Sequence, residues 1–429
     1  MNAPALATHG VPDQLQDGIY FRSGSRPGAS YCLLLLNIRQ GTPPAAAREA
    51  LAKVWAMLQD LRCGVVRDLQ PSRPSDPDRS RLVVPQGDLT CLLGIGARLF
   101  DAQFHNPSVV TLPAKDLPKD AMNRPELIML RSDGDGTPFL SLPWVSEGER
   151  KSGEADLALQ FIADTELAVN RAVVEVWKVC SDEELPLDVV TSFHGFNRDD
   201  RRSWIDFFDG INNIEPHQRR VAIEVTQDDP SWLKGGTYMA FLRLALDLAS
   251  WRRLSREHQE ILVGRDKLTG YPLEKVHQEP NKGLVPTASA GCPFAGKPLR
   301  SPAYTDPPRP ENPLLQASHI YRANPYRHAQ DGNAANRIFR QGYEFLEPLE
   351  EGRLRVGLNF VSFQRSLLIF KQILSFWGWM GDVNFGGPRD PNPGEPSPLP
   401  LAAVIAGGYY AVPPKDDPFP GASIFAAHR

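Results

Sequence analysis

The 429-residue sequence has only five cysteines, Cys32, Cys63, Cys91, Cys180 and Cys292, and no two of them form a CxxC pair. Scattered and odd in number, they argue against a disulfide framework and a thiolate zinc site, and for a reducing compartment. Neither sign of charge is in large excess. The formal net charge is −4, which leaves no nucleic-acid or anionic-membrane footprint. The longest apolar runs, such as YCLLLL at 31–36, fall well short of the ~20 residues that span a bilayer. The opening residues, MNAPALATHGVPDQ, lack a basic n-region, an apolar h-region and a twin arginine. A soluble, cytoplasmic protein is expected. GxGxxG, GxxxxGKS/T and GxSxG are absent too, so phosphate cradling and a serine-hydrolase elbow are unsupported.

What is present is proline and glycine, 40 and 34 residues, concentrated in loops at 71–78, 287–313 and 386–400. Between the loops, patterning predicts strands at 29–38, 89–99, 156–164, 235–248 and 355–364. Helices are predicted at 45–61, 165–180, 249–264 and 366–377. The first carries an apolar stripe of Leu51, Val54, Trp55, Leu58 and Leu61; Thr165 suits an N-cap and Gly264 a helix end. Each half reads roughly strand–helix–strand–strand–helix, with connections too irregular for a doubly wound sheet. The fold class is therefore α+β, two domains each with an antiparallel sheet and helices on one face. The boundary is expected near 190–215.

Four segments carry candidate chemistry. In RSWIDFFDGINNIEP (202–216), Asp209 follows Phe207 and Phe208 and precedes Gly210. A carboxylate among aromatics is costly unless paired, which predicts a buried, partnered acid; a plain Asp-Gly turn is the alternative. Arg340, in NRIFRQGYEF (336–345), is by default a solvated cation. Beside Asp209 it would keep that carboxylate ionised. His319 lies in QASHIYRANPYRH (316–328), among Arg322, Asn324, Arg327 and His328. A lone imidazole is a poor zinc site and is compatible with a structural role, but it suits an iron porphyrin, which needs one axial side chain. GLNFVSFQ (357–364) puts Leu358, Phe360 and Ser362 on one strand face and Asn359, Val361 and Phe363 on the other, as a core strand also would.

With these segments in order, the chain resembles the dye-decolorizing peroxidases, haem enzymes of the dimeric α/β-barrel type. The GxxDG-plus-Asn signature appears as DFFDGINN, with Asp209, Gly210 and Asn213 in place. GGTYMAFLRLALDLASWRRLSREHQEILVGR, SHIYRANP, RIFRQGYEF, GLNFVSFQ and GGYYAVPP follow in the family order. The likeness covers most of 18–425 and is strongest over 203–364. One departure is plain: the signature's first glycine is Asp206 here, a second acid close to Asp209.

The resemblance implies a flexible segment 1–17, a ferredoxin-like domain at 18–200, and a haem-binding ferredoxin-like domain at 201–429 with a Pro-rich insertion at 287–313. It implies one haem b (iron protoporphyrin IX) per chain, with His319 as its proximal iron ligand and Asp209 and Arg340 as the distal pair. Leu358 and Phe360 would wall the cofactor site, and Asn213 would belong to it. Arg322 and Asn324 would meet the propionates, and Asp382 would accept from His319. Trp251, Tyr343, Trp377 and Trp379 are the oxidisable side chains that could relay electrons, core packing being their alternative. The implied activity is reduction of hydrogen peroxide with one-electron oxidation of an organic donor such as a dye or phenol, in a chain that could form a homo-oligomer. Two alternatives stand beside it: a haem carrier or sensor of the same fold, and a non-haem assembly module.

Overall fold

The run YCLLLL forms the middle of strand β1 (Ser30–Ile38), and all of it is buried. A strand covered on both faces needs apolar residues on both, which is why this segment is continuous rather than alternating. The computed structural model describes residues 14–20, 28–67, 81–100, 145–198, 200, 202–209, 211, 213–214, 216–226, 230–273, 312–316, 318–323, 337–375 and 401–425. After β1 come helix α1 (Pro44–Arg62), the short strands β2 (Val65–Arg67) and β3 (Arg81–Val83), and β4 (Thr90–Gly96). Then follow β5 (Leu157–Ala163), α2 (Glu166–Asp182), β6 (Leu187–Phe196), α3 (Pro216–Ile223) and β7 (Thr237–Leu246). The rest is α4 (Leu248–Arg253), α5 (Arg256–Val263), α6 (Pro313–Gln316), α7 (His319–Arg322), β8 (Phe339–Pro348), β9 (Leu354–Gln364), α8 (Leu367–Ser375) and β10 (Ala402–Val412).

Eight strands close into one antiparallel barrel, β1-β5-β4-β10-β7-β9-β8-β6, while β2 and β3 pair separately. Numbered within its own half, each set of four runs 2-3-1-4 (β4-β5-β1-β6 and β8-β9-β7-β10), the ferredoxin-like order. The two expected sheets are thus continuous with each other, but their seams are thin. Tyr410 and Ala411 pair with Gly96 and Ile95 at one seam, and Phe196 with Glu344 at the other.

Strand alternation sorts the side chains into separate cores. Tyr31, Leu33, Leu35, Phe193, Phe241, Val361 and Phe363 fill the barrel. Cys32, Leu34 and Leu36 face outward beneath α1 and α2. Leu242, Leu244 and Phe360 face outward on the other half, beneath Phe370 and Ile373 of α8. Tyr343 and Trp251 are both buried, Tyr343 stacked on Tyr31 at 4.3 Å between ring centroids and Trp251 edge-on to Phe207 at 6.1 Å. Trp377 and Trp379 lie outside the described residues, as do 287–311 of the insertion.

Local chemistry sets the helix ends. The Thr165 hydroxyl accepts from the Ala168 N–H at the start of α2. The helix expected at 249–264 is two helices, because Asp247 caps α4 and Ser255 caps α5. Gly264 ends α5 in the left-handed conformation, as expected. The strand expected at 89–99 stops at Gly96, and 97–99 form a 3-10 turn. Strands β6, β8 and β10 were not among the expected strands. Gln14–Gln16 and Asp17, assigned from the sequence to the N-terminal segment, are tied down: Gln16 bonds Leu93 and Pro413, and Asp17 pairs with Arg62 and Lys415. Among the described residues no helix is long and apolar enough to cross a membrane.

Gly357 tests the closeness of the β7–β9 ladder. A side-chain carbon there would come within 1.9 Å of the Leu244 carbonyl oxygen and 2.6 Å of the Phe345 ring. Gly357→Ala is expected to lower unfolding stability by about 1–3 kcal/mol in denaturant titration. Gly148→Ala, with nothing within 4 Å, is expected to stay within about 0.5 kcal/mol of wild type.

Candidate active site

Strand β8 puts Phe339, Gln341 and Tyr343 inside the barrel and turns Arg340, Gly342 and Glu344 outward. Opposite them on β9 stand Ser362, Phe360 and Leu358. The outward face of β8 is crossed by the segment that carries Asp209, and two polar clips hold that segment down. At one end the Trp204 N–H donates to Glu344 Oε1, and its indole N–H donates to the Phe345 carbonyl at 3.1 Å. At the other, the Asn213 side-chain amide donates to the Arg340 carbonyl at 2.8 Å, while its Oδ1 accepts from the Arg340 N–H at 3.1 Å.

Between the clips, Asp209 lies over Gly342. A methyl group at Gly342 would stand 3.0 Å from Asp209 Oδ2 and 3.3 Å from Leu358 Cδ1. Glycine here favours close approach rather than a special backbone angle, since its φ is ordinary. Arg340, one place along the same strand face, donates from Nη2 to the Ile211 carbonyl at 3.0 Å. The structure therefore gathers Asp209, Arg340, Asn213 and Leu358 around one glycine floor.

Burial of Asp209 is the expectation that fails. Phe207 is buried, packing with Trp251 in a small cluster, and Phe208 is half-buried under the Arg202 guanidinium at 3.9 Å. Asp209 itself is exposed. The cause is the bridge between Arg202 and Phe208: it pins the phenylalanines and leaves the next residue facing away from that packing. Asp206 explains its own departure from the signature. Its φ is +66°, in the left-handed region that glycine enters freely and aspartate tolerates better than most residues. Its side chain, 63 % exposed, points to Lys267 at 3.6 Å.

Glu344 is the acid that sequence reasoning missed. It is 6 % exposed, and Oε2 finds no hydrogen-bond partner among the described residues. Burial pushes its carboxyl up to about 8; the Trp204 N–H and Arg198 oppose that rise, and the charges of Asp209 and Asp200 add to it. Nothing in the sequence marks it, because its burial depends on the Trp204 clip.

His319 opens α7, which rests on the end of α5. Ser318, just before it, is buried and donates to the Leu315 carbonyl at 2.7 Å. A side chain at Gly264, whose φ is +88°, would come within 2.6 Å of Ser318 Oγ and 2.8 Å of Ile320. Glycine at 264 therefore both ends α5 and admits α7. His319 and Arg322 are half-buried. Ala323, following α7, packs against the outer cluster that contains Phe360 and Leu358. Phe360 stacks on Phe370 at 6.0 Å and is anchored beneath α8. Asn324, Asp382 and Gly210 lie outside the described residues.

The Asn213 clip yields a measurable consequence. Asn213→Ala is expected to cost about 1–3 kcal/mol of stability by leaving both backbone groups of Arg340 without this partner. Hydrogen exchange at the Arg340 amide should accelerate with it; unchanged exchange would show that the clip does not hold the strand.

Comparison with known proteins places this arrangement. The chain is 28% identical over 227 residues to a deferrochelatase of Shigella flexneri, an overlap of 49% of this chain and 48% of that protein. It thus spans about half the length of the curated relatives it matches. Its fold is similar to that of a DyP-type peroxidase from Cellulomonas bogoriensis, with a TM-score of 0.63 and 20% identity over 97% of this chain and 100% of that one. It is also similar to DtpA from Streptomyces lividans, solved as an oxyferrous complex, with a TM-score of 0.62 and 19% identity over 93% and 94% of the two chains. Residues 200–417, just over half the chain and the whole of the clipped site, match the family model for the Dyp-type peroxidase C-terminal region; the chain belongs to the Dyp-type peroxidase family.

Proposed function

We propose that this chain binds one haem b between α7 and the outer face of β8 and β9, and uses it to reduce hydrogen peroxide at the expense of an organic donor. The observation that carries the reading is the convergence of Asp209, Arg340 and Leu358 over Gly342, on the sheet face whose cluster also receives Ala323. The donor set fits the cofactor: a lone imidazole that would hold the iron, a cation and a carboxylate for peroxide chemistry, and apolar side chains that would flank a porphyrin. A bound haem supplies the redox-active iron through which peroxide takes up two electrons, with two protons, to give two waters.

His319 would hold the iron from α7. Arg322 would meet a propionate by a charge-assisted bond, with Asn324 beside it. Asp382 would accept from the second imidazole nitrogen and fix its orientation. Asp209 would take the proton from the inner peroxide oxygen and return it to the outer one. Arg340, held on its strand by Asn213, would stabilise the anion developing as the O–O bond breaks. Leu358 and Phe360 would keep large donors out, leaving single electrons to arrive from dyes or phenols bound elsewhere. Trp251 and Tyr343 are both buried, as core packing requires, and either is of a residue type that could pass electrons onward. Cys32, Cys63, Cys91 and Cys180 form no disulfide among the described residues; the reducing, cytoplasmic setting remains the expectation from the number and scatter of the cysteines.

Peroxide-dependent dye oxidation tests the reading. In the haem-loaded chain, Asp209→Asn is expected to slow the reaction with peroxide ~10²–10⁴-fold, and Arg340→Ala to abolish most turnover. Dye turnover at wild-type rate in both variants would overturn it. The relatives' name, deferrochelatase, supports a second reading in which the same site releases iron. Iron release without dye oxidation in the wild-type chain would favour that alternative.

A further inference from the structure

We propose that Glu344 is a proton-holding residue coupled to Asp209 across Gly342, so that two carboxyls rather than one set the charge at the reacting end of the site. The kinetic part of this inference rests on the peroxidase reading; the coupling itself does not.

The geometry comes first. Arg340, Gly342 and Glu344 are successive outward residues of β8. Asp209 sits over the middle one, with the cation on one side and Glu344 on the other. Glu344 is 6 % exposed. One oxygen accepts the Trp204 N–H, and the other is buried with no partner among the described residues. An ionised carboxylate in that setting would bury a charged oxygen without a donor, which costs more than burying the neutral O–H of a protonated carboxyl.

The facing charges point the same way. Those acting on Glu344 are Arg198, Asp209 and Asp200. The one cation among them is already engaged, since Arg198 pairs with Asp200 at 2.5 Å and lies 5.4 Å from the Trp204 ring centre. Arg198 and Asp200 largely offset each other as a pair, so burial and the charge of Asp209 leave the neutral form favoured through neutrality, in keeping with a carboxyl raised to about 8 mainly by burial.

Glu344 acts through Asp209 and Arg340 and is a positioning residue. While it holds its proton, the field of Arg340 is opposed by one carboxylate. When it ionises, a second negative charge offsets that field and disfavours the anion that forms as peroxide is cleaved. The reaction with peroxide should therefore lose rate in a single-proton step as pH rises through about 8. The sign for stability follows from the same linkage. The folded-state carboxyl lies above its ordinary 4.5, so its contribution is full below that value and is lost as pH rises toward the folded value.

The direct test is an infrared pH titration of the full-length chain without haem, following the C=O band of a protonated carboxyl. Wild type should lose one such band with a midpoint near 8, and Glu344→Gln should lack that transition. Asp209→Asn should move the midpoint down and Arg198→Gln should move it up, because interacting sites shift each other reciprocally. These two variants keep Glu344 and decide the matter even if Glu344→Gln fails to fold. A transition that survives in Glu344→Gln, or a midpoint unmoved by Asp209→Asn, overturns the proposal. In the haem-loaded chain, Glu344→Gln should remove the alkaline loss of rate and Glu344→Asp should restore it at a shifted pH. A chain that shows the coupled titration but no peroxide turnover would sink the peroxidase reading and leave the coupling standing.

Discussion

The seam between β6 and β8 joins the two halves of the barrel through a single residue pair, Phe196 with Glu344. Along the rest of that edge, among the described residues, β8 has β9 on one side and no strand on the other, and backbone groups on such an edge must find partners elsewhere. The Asn213 amide supplies them at Arg340, donating to its C=O and accepting from its N–H as a neighbouring strand would. Trp204 does related work near Glu344 and Phe345. A defect of sheet closure thus recruits the 204–213 segment onto the outer face of β8, and Asp209 arrives at Gly342 as a result. The position of the acid follows from how the barrel closes.

That arrangement also explains how the site tolerates several charges. Asp206 is turned away by a left-handed backbone and meets Lys267 at the surface. Arg340 gives one donor to the Ile211 carbonyl, so its guanidinium is aimed by the same segment that carries Asp209. Glu344 is the group with the least help, and burial keeps it protonated. Elsewhere, α7 is seated by Ser318 against Gly264. Each of these side chains is therefore placed by a contact from another segment of the chain.

Much of the scaffold can be read from the chain. β1, α1 and α2 announce themselves through long apolar runs, a helical stripe and the Thr165 cap, because their environments match local propensity. β8 does not. Its inward face includes Gln341, which bonds the Gly18 and Ile19 carbonyls, and its outward face is given to Arg340, Gly342 and Glu344, so hydrophobic alternation is broken on both sides. β10 carries glycines at 407 and 408, and the second approaches the Gly153 carbonyl too closely for any side chain. The family likeness pairs Asp209 with Arg340, and the structure brings both to the outer face of β8 at Gly342. The exposure of Asp209, the floor at Gly342 and the buried acid at Glu344 were not legible in the sequence, since each depends on a contact between segments far apart in the chain.

The account comes down to whether an imidazole at the head of α7 faces a porphyrin lying against β8 and β9. The visible absorption spectrum of the full chain, expressed with haem supply and compared with His319→Ala, measures this directly. The account predicts a Soret band in wild type that is shifted or lost in the variant. A wild-type chain with no Soret band after reconstitution, or a variant with an unaltered spectrum, would contradict it.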